Sequence, residues 1–203
     1  MNQDSISVND KNPKTARGAK TKAKLLEAAS LEFGARGYHE CMIADITKRA
    51  NVAMGTFYVY FESKEVVFRE LVQYMGQTTR AYISKKLEGV SDRLEAEKKG
   101  LHAFIEFARA NKDLYRIVME SQFVAEDAYR DYYTSFQKAY AENLRNASSK
   151  GEIRNGDDEV RAWGLIGLSV FLGMRYCIWD DSKKVEDVAD AAFDLIKNGL
   201  KMG

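Results

Sequence analysis

The stretch ITKRANVAMGTFYVYFESK, residues 46–64, runs from polar and basic side chains through a short break into four aromatics within five positions: Phe57, Tyr58, Tyr60 and Phe61. Counted as an α-helix, residues 54–61 sort those aromatics by face. Phe57 and Phe61, four apart, share one side and should plug a small core beneath it. Gly55 and Val59 take the opposite side, with Thr56 and Tyr58 on its flanks. Tyr60 lies near the edge, and Met54 is ambiguous, closer to the inner side. Just upstream, Ile43, Ile46 and Ala50 give a short amphipathic helix. Asn51, one of the few non-glycine residues that tolerates a left-handed backbone, separates the two.

Two short helices joined by a tight turn, the second bearing small outward residues, describe a helix-turn-helix. Such a helix fits the major groove of DNA. Gly55 admits close backbone approach, Thr56 can reach a base edge or a thymine methyl, and Val59 can make apolar contact. Tyrosine hydroxyls and lysines suit phosphates, which fix register more than sequence. Lys64 stands in the first turn of the next helix, where its charge opposes the helix dipole; that placement makes sense if it faces a phosphate. Spacing alone also allows a plain helical hairpin with aromatic filling.

Working outward, the pattern stays helical. Leu26, Ala29 and Phe33 share a face from Thr21 onward, with Gly37 as a stop. Ser63 is an N-cap for a helix carrying Val67, Leu71, Tyr74 and Met75. Further helices are expected near 92–110, 112–122, 126–149, 158–180 and 184–201, with Gly151 as a C-terminal cap and Asp157 and Ser182 as N-caps. Strand-like alternation is not found, and with one proline and 14 glycines in 203 residues the chain reads as all-α. Residues 1–20 lack periodicity and read as a flexible basic arm. Residues 21–66 read as the helix-turn-helix domain and 67–203 as a larger helical body.

The totals set further bounds. At 45% hydrophobic and 30% charged the chain is globular rather than disordered. Residues 1–64 hold 10 Lys/Arg against 7 Asp/Glu, a net +3 inside an overall +1, so the remainder is −2. A basic first third hints at an anionic partner. Two cysteines make no disulfide framework, the N-terminus has no secretory pattern, and the apolar run WGLIGLSVFLGM at 163–174 is too short to span a bilayer. A cytoplasmic protein with no membrane partner is expected. Two histidines, no nucleophile motif, no phosphate loop and no metal-ligand spacing argue against an enzyme, and no cofactor or metal is implied.

Residues 25–71, LLEAASLEFGARGYHECMIADITKRANVAMGTFYVYFESKEVVFREL, resemble the DNA-binding domain of the TetR family of bacterial transcriptional regulators. The resemblance rests on Ala28-Ala29 and Phe33, on Gly37-Tyr38, on Asp45-Ile46-Thr47 with Ala50, and on GTFYVYFESKE at 55–65. It implies a homodimer on a palindromic operator, a small-molecule effector bound in the C-terminal domain, and dimerisation through the last two helices. Carried over by position, recognition-helix contacts fall on Met54, Gly55, Thr56, Tyr58 and Val59. Backbone contacts fall on Tyr60 and Lys64, with Lys20 and Lys22 added from the first helix and arm. Three positions depart from the pattern: Cys41-Met42 replaces a hydroxyl cap, Asn51 a glycine and Ala53 a serine. Missing hydroxyls remove phosphate contacts, so a ligand-binding protein that has lost DNA binding is the alternative.

In the body, Tyr129, Tyr133, Phe136 and Tyr140 run at spacings of four, three and four, and Phe104, Phe107, Met119 and Phe123 add large apolar groups. These are core packing or the wall of an effector pocket, since buried tyrosine hydroxyls need partners. Arg175 would pair an acidic ligand group or a surface carboxylate. YRIVMESQFV, YYTSFQKAYAENL and GEIR are similar to family members that sense acyl-CoA thioesters. The helix at 158–180 is apolar nearly all round, so it must be buried on every side, within the monomer or across a two-fold axis. Gly164, Gly167, Leu168 and Phe171, paired with Val188, Ala192, Leu195 and Ile196, are the expected dimer surface.

Overall fold

The computed structural model describes residue 13 and residues 15–199. Among them are nine α-helices and no strand: α1 (Ala16–Glu40), α2 (Ile43–Arg49), α3 (Met54–Tyr60), α4 (Lys64–Lys86), α5 (Arg93–Ala110), α6 (Lys112–Val124), α7 (Glu126–Ser149), α8 (Asp158–Gly173) and α9 (Val185–Asn198). Most of the expected arm lies outside the described residues. Within them, α1 begins at Ala16, before Thr21, because the Thr15 side chain caps it by accepting from the Gly18 amide. Gly37, at φ 78°, breaks that helix as its sequence suggests.

Several turns follow the residues that signalled them. Asn51 sits at φ 52°, Ser63 accepts from the Val66 amide at 3.2 Å, and Asp157 accepts from the amides of Glu159 and Val160. Ser182 does not cap α9, whose N-cap is Lys184, with no side-chain cap. The Ser182 amide instead donates to Asp180 Oδ1 at 3.0 Å, which folds the turn before the helix.

One hydrophobic core runs unbroken from the helix-turn-helix into the body. Leu25, Phe33, Ile46, Phe57 and Phe61 join Val67, Phe68, Leu71 and Met75 of α4, and these meet Ile117 and Val118 of α6. Helix α4 is therefore shared: its first half completes the small domain and its second half enters the body. With 23 residues it is about 34 Å long. Helix α1 also packs on α6 so closely that a Cβ at Gly34 would collide with the Asp113 side chain. Nearby, the Tyr38 amide donates to Glu120 Oε1 at 2.8 Å.

A second core joins α5, α6 and α9 around Leu101, Ile105, Tyr115, Cys177, Val188 and Ala192. Val188 and Ala192 are thus buried within their own chain, against the expectation that they face a second copy. Helix α8 continues through a π-turn, Met174–Trp179, whose Tyr176 carbonyl accepts from Arg109 Nε at 3.1 Å. The combined stretch Asp158–Trp179 is 22 residues, long and apolar enough by composition to cross a membrane. That corrects the length argument drawn from the 12-residue run, which stopped short of the π-turn.

Candidate nucleic-acid interface and internal cavity

Helix α3 is pinned by Phe57 and Phe61, both fully buried, and turns its other face outward. Val59 is 61% exposed, Met54 and Tyr58 are about half exposed, and nothing lies within 4 Å of where a Cβ on Gly55 would stand. Met54 is therefore outward, not inward, because the helix begins on it. The face is small, open and rimmed by one aromatic, a shape that can enter a groove closely. The turn before it is held by Val52, whose amide donates to the Thr47 carbonyl at 3.0 Å.

The lysines read differently in space. Lys64 Nζ donates to the carbonyls of Tyr38 at 2.6 Å and Cys41 at 2.8 Å, and sits 4.2 Å from the centre of the Tyr38 ring. Its charge neutralises the open end of α1, which offsets its poor position on α4 without any phosphate. Lys22 pairs with Glu70 at 2.9 Å and lies over Phe61. Tyr60 is half-buried, its hydroxyl close to Gly18. These three hold the domain together, while Lys20 stays exposed. At the departures from the family pattern, the Met42 amide donates to Asp45 Oδ2 at 2.9 Å, half of a capping box without the hydroxyl. Ala53 offers α3 no side-chain cap. Cys41 is buried, and burial, more than the nearby Glu32, pushes its thiol up to about 11.

Between α4, α5, α7 and α8 lies a cavity of about 240 Å³. Of the residues expected at a pocket, Phe104, Tyr133, Phe136 and Tyr140 line this cavity, and Phe107, Met119, Phe123, Tyr129 and Arg175 do not. Phe107 packs on Tyr82, and Met119 joins the second core, within reach of the Tyr133 hydroxyl. Tyr129 stacks edge-on behind Tyr133. Phe123 is 82% exposed, and Arg175 pairs with Asp180 at the surface.

One end of the cavity is ionic. Glu97 is 5% exposed, contacts Arg93 Nη2 at 2.7 Å and accepts a hydrogen bond from the Tyr140 hydroxyl. Burial raises the Glu97 carboxyl above its ordinary range, and Arg93 and then Tyr140 pull it partly back. Arg93 Nε is buried without an acceptor. Leu101, Ile166, Val170 and Ile196 give most of the remaining wall an apolar surface, with Ser84, Asn143 and Ser169 as polar points. Ile196 therefore lines the cavity and is not at a dimer surface.

Residues 25–71 match the model of the bacterial regulatory proteins of the tetR family. This is a TetR-family DNA-binding domain. The HTH-type regulator YdgC of Bacillus subtilis is 32% identical over 106 residues, 50% of this chain and 54% of YdgC, so the chain spans about half that relative's length. The transcriptional regulator FadR of B. subtilis, solved in complex with stearoyl-CoA, superposes with a TM-score of 0.79 at 18% identity, covering 89% of this chain and all of FadR. AibR, solved with isovaleryl coenzyme A and operator DNA, gives 0.72 at 17%, covering 87% and 97%. At these identities the superpositions speak for the fold.

Behind the TetR-type domain, α8 leaves one side uncovered. Val160, Trp163, Gly164, Gly167 and Phe171 follow helical spacing, and Phe171 is 67% exposed. Leu195 on α9 and Trp179 at the end of the π-turn are exposed too. Leu168 is half-buried against the second core. Sequence reading missed Arg80, Arg93, Glu97 and Tyr132 in the cavity wall. Tyr132 stood on the aromatic stripe, four before Phe136, and the same count finds it. Arg93 and Glu97, also four apart, have the spacing of an ordinary surface ion pair, so nothing local marks them as buried.

Proposed function

We propose that this chain is a ligand-responsive transcriptional regulator, a repressor that binds a palindromic operator as a homodimer and is released by a small hydrophobic or acyl-CoA-type effector. The observation that carries this reading is the shared helix α4. Val67, Phe68 and Leu71 build the core under the recognition helix, while Arg80, Ile83 and Ser84 on the same helix line the cavity. A molecule that separates the cavity walls must move α4 and therefore α3. Such a molecule shifts DNA affinity only by its own preference between the two arrangements. The coenzyme A thioesters held by FadR and AibR support the effector class, and the operator DNA bound by AibR supports the partner.

The uncovered face of α8 supports pairing of two copies through α8 and α9. Contacts fall on Gly164, Gly167, Phe171 and Leu195 in place of the buried Val188 and Ala192. On DNA, two recognition helices would then sit about 34 Å apart or a multiple of it.

Fluorescence anisotropy with a duplex from upstream of the gene and a scrambled duplex, across a salt series, tests the DNA reading. Sequence-dependent binding with a steep salt slope is expected. Tyr58→Ala should weaken it about tenfold or more, the worth of one hydrogen bond to a charged group, with the fold intact. Equal binding of both duplexes, across a genomic fragment library as well, supports the second reading: a ligand-binding protein without DNA. The internally engaged Lys22 and Lys64 and the two missing hydroxyl caps favour that alternative.

A further inference from the structure

A second, smaller hollow of about 190 Å³ lies between α4 and α7, lined by Gln73, Gln77, Asp131 and Ser135 among others. It shares two residues with the main cavity, Arg80 and Tyr132. Their positions make them the wall between a greasy chamber and a polar one. Arg80 lays its guanidinium on the Phe136 ring, 5.1 Å from its centre, and forms no ion pair with a described carboxylate. Tyr132 is packed against both Tyr133 and Phe136. Gly76 makes the junction possible: a Cβ there would stand 3.2 Å from the Tyr132 ring and 3.3 Å from Arg80 Nη1.

The two chambers differ in chemistry. The first is walled by Phe104, Ile166 and Val170, with its buried acid already matched by Arg93 and Tyr140. The second has amides, a hydroxyl and one carboxylate, on side chains that are exposed at its rim. Neither alone reaches the roughly 300 Å³ at which ligand sites usually begin; together they do.

Resting on the effector reading above, we infer that the two chambers form one site for a two-part ligand. An acyl or aryl body fills the cavity, and an anionic group binds Arg80 at the junction, with the polar remainder in the α4–α7 hollow. A guanidinium with no carboxylate partner, on an aromatic face and partly desolvated, is a strong hydrogen-bond donor to carboxylate or phosphate. Free acids and phosphorylated carrier thioesters share that chemistry. They differ in how much of the second chamber they occupy.

Calorimetric titration of the full-length protein with octanoyl-coenzyme A, octanoate and 1-octanol separates the possibilities. Wild type should bind at least one anionic compound about tenfold or more tighter than octanol, as a charge-assisted contact requires. Arg80→Gln should erase that preference and leave octanol affinity unchanged, with Arg80→Lys restoring part of it. Ser135→Trp, at an exposed position, should weaken the thioester and spare the acid if the second chamber holds the head. Persistence of the anion preference in Arg80→Gln overturns the inference, as does an equal loss for octanol. Equal binding of all three by wild type overturns the inference and leaves the effector reading standing. No binding of any of them overturns both.

Discussion

Aromatic residues in the first 64 positions and aromatic residues in the body obey the same helical spacing, yet only the first set lies where spacing puts it. Phe33, Phe57 and Phe61 are all fully buried. In the body, Phe104 and Tyr140 line a cavity, Phe107 fills a core and Phe123 is in solvent. The difference lies in how many neighbours a helix has. A helix of a three-helix domain has one inside, so periodicity alone assigns its faces. Helices of the body touch a core on one side and a cavity or an uncovered surface on another, and period 3.6 cannot tell those apart.

Four substitutions sharpen this contrast. The largest effect is expected from Phe57→Ala, at about 3–5 kcal/mol for a buried aromatic, against less than ~0.5 kcal/mol for Phe123→Ala at the surface. Denaturant unfolding measures both, and comparable losses would break the comparison. Next is Phe171→Glu on the uncovered face of α8. Sedimentation should show the proposed dimer in wild type and monomer in the variant, with the melting profile of the monomer unchanged. A dimer that survives would place the interface elsewhere.

The smallest effect concerns Glu97. Burial raises its carboxyl in the folded chain, so folding takes up a proton between the ordinary glutamate range and the raised value. Stability must then fall as pH climbs through that window. Glu97→Gln should flatten the decline in a melting series from pH 4 upward (about the ordinary glutamate value), and an unaltered slope would locate the titration in another group.

Most of the fold was legible because its punctuation is local. Asn51, Ser63, Gly151 and Asp157 each act on backbone within a few residues, and each marks the boundary it signalled. Apart from Ser182 and Met54, the failures are long-range. Lys64 looked misplaced until the end of α1, more than twenty residues away, arrived beside it. Val188 and Ala192 looked free to meet a second copy because nothing local shows that α5 covers them. Arg80, one of the two residues that join the chambers, carries no periodic signal; an arginine on an amphipathic helix reads as solvent-facing wherever it stands.

The close seat of α1 on α6 limits how the reading head can move. A rigid body held through one joint can tilt in any direction, whereas one held through two keeps a single rotation, about the line between the joints. Here the joints are α4 and the Gly34–Asp113 contact with its Tyr38–Glu120 hydrogen bond. In the proposed dimer a two-fold axis would carry the same rotation into both heads, and the spacing between them would change along a single degree of freedom.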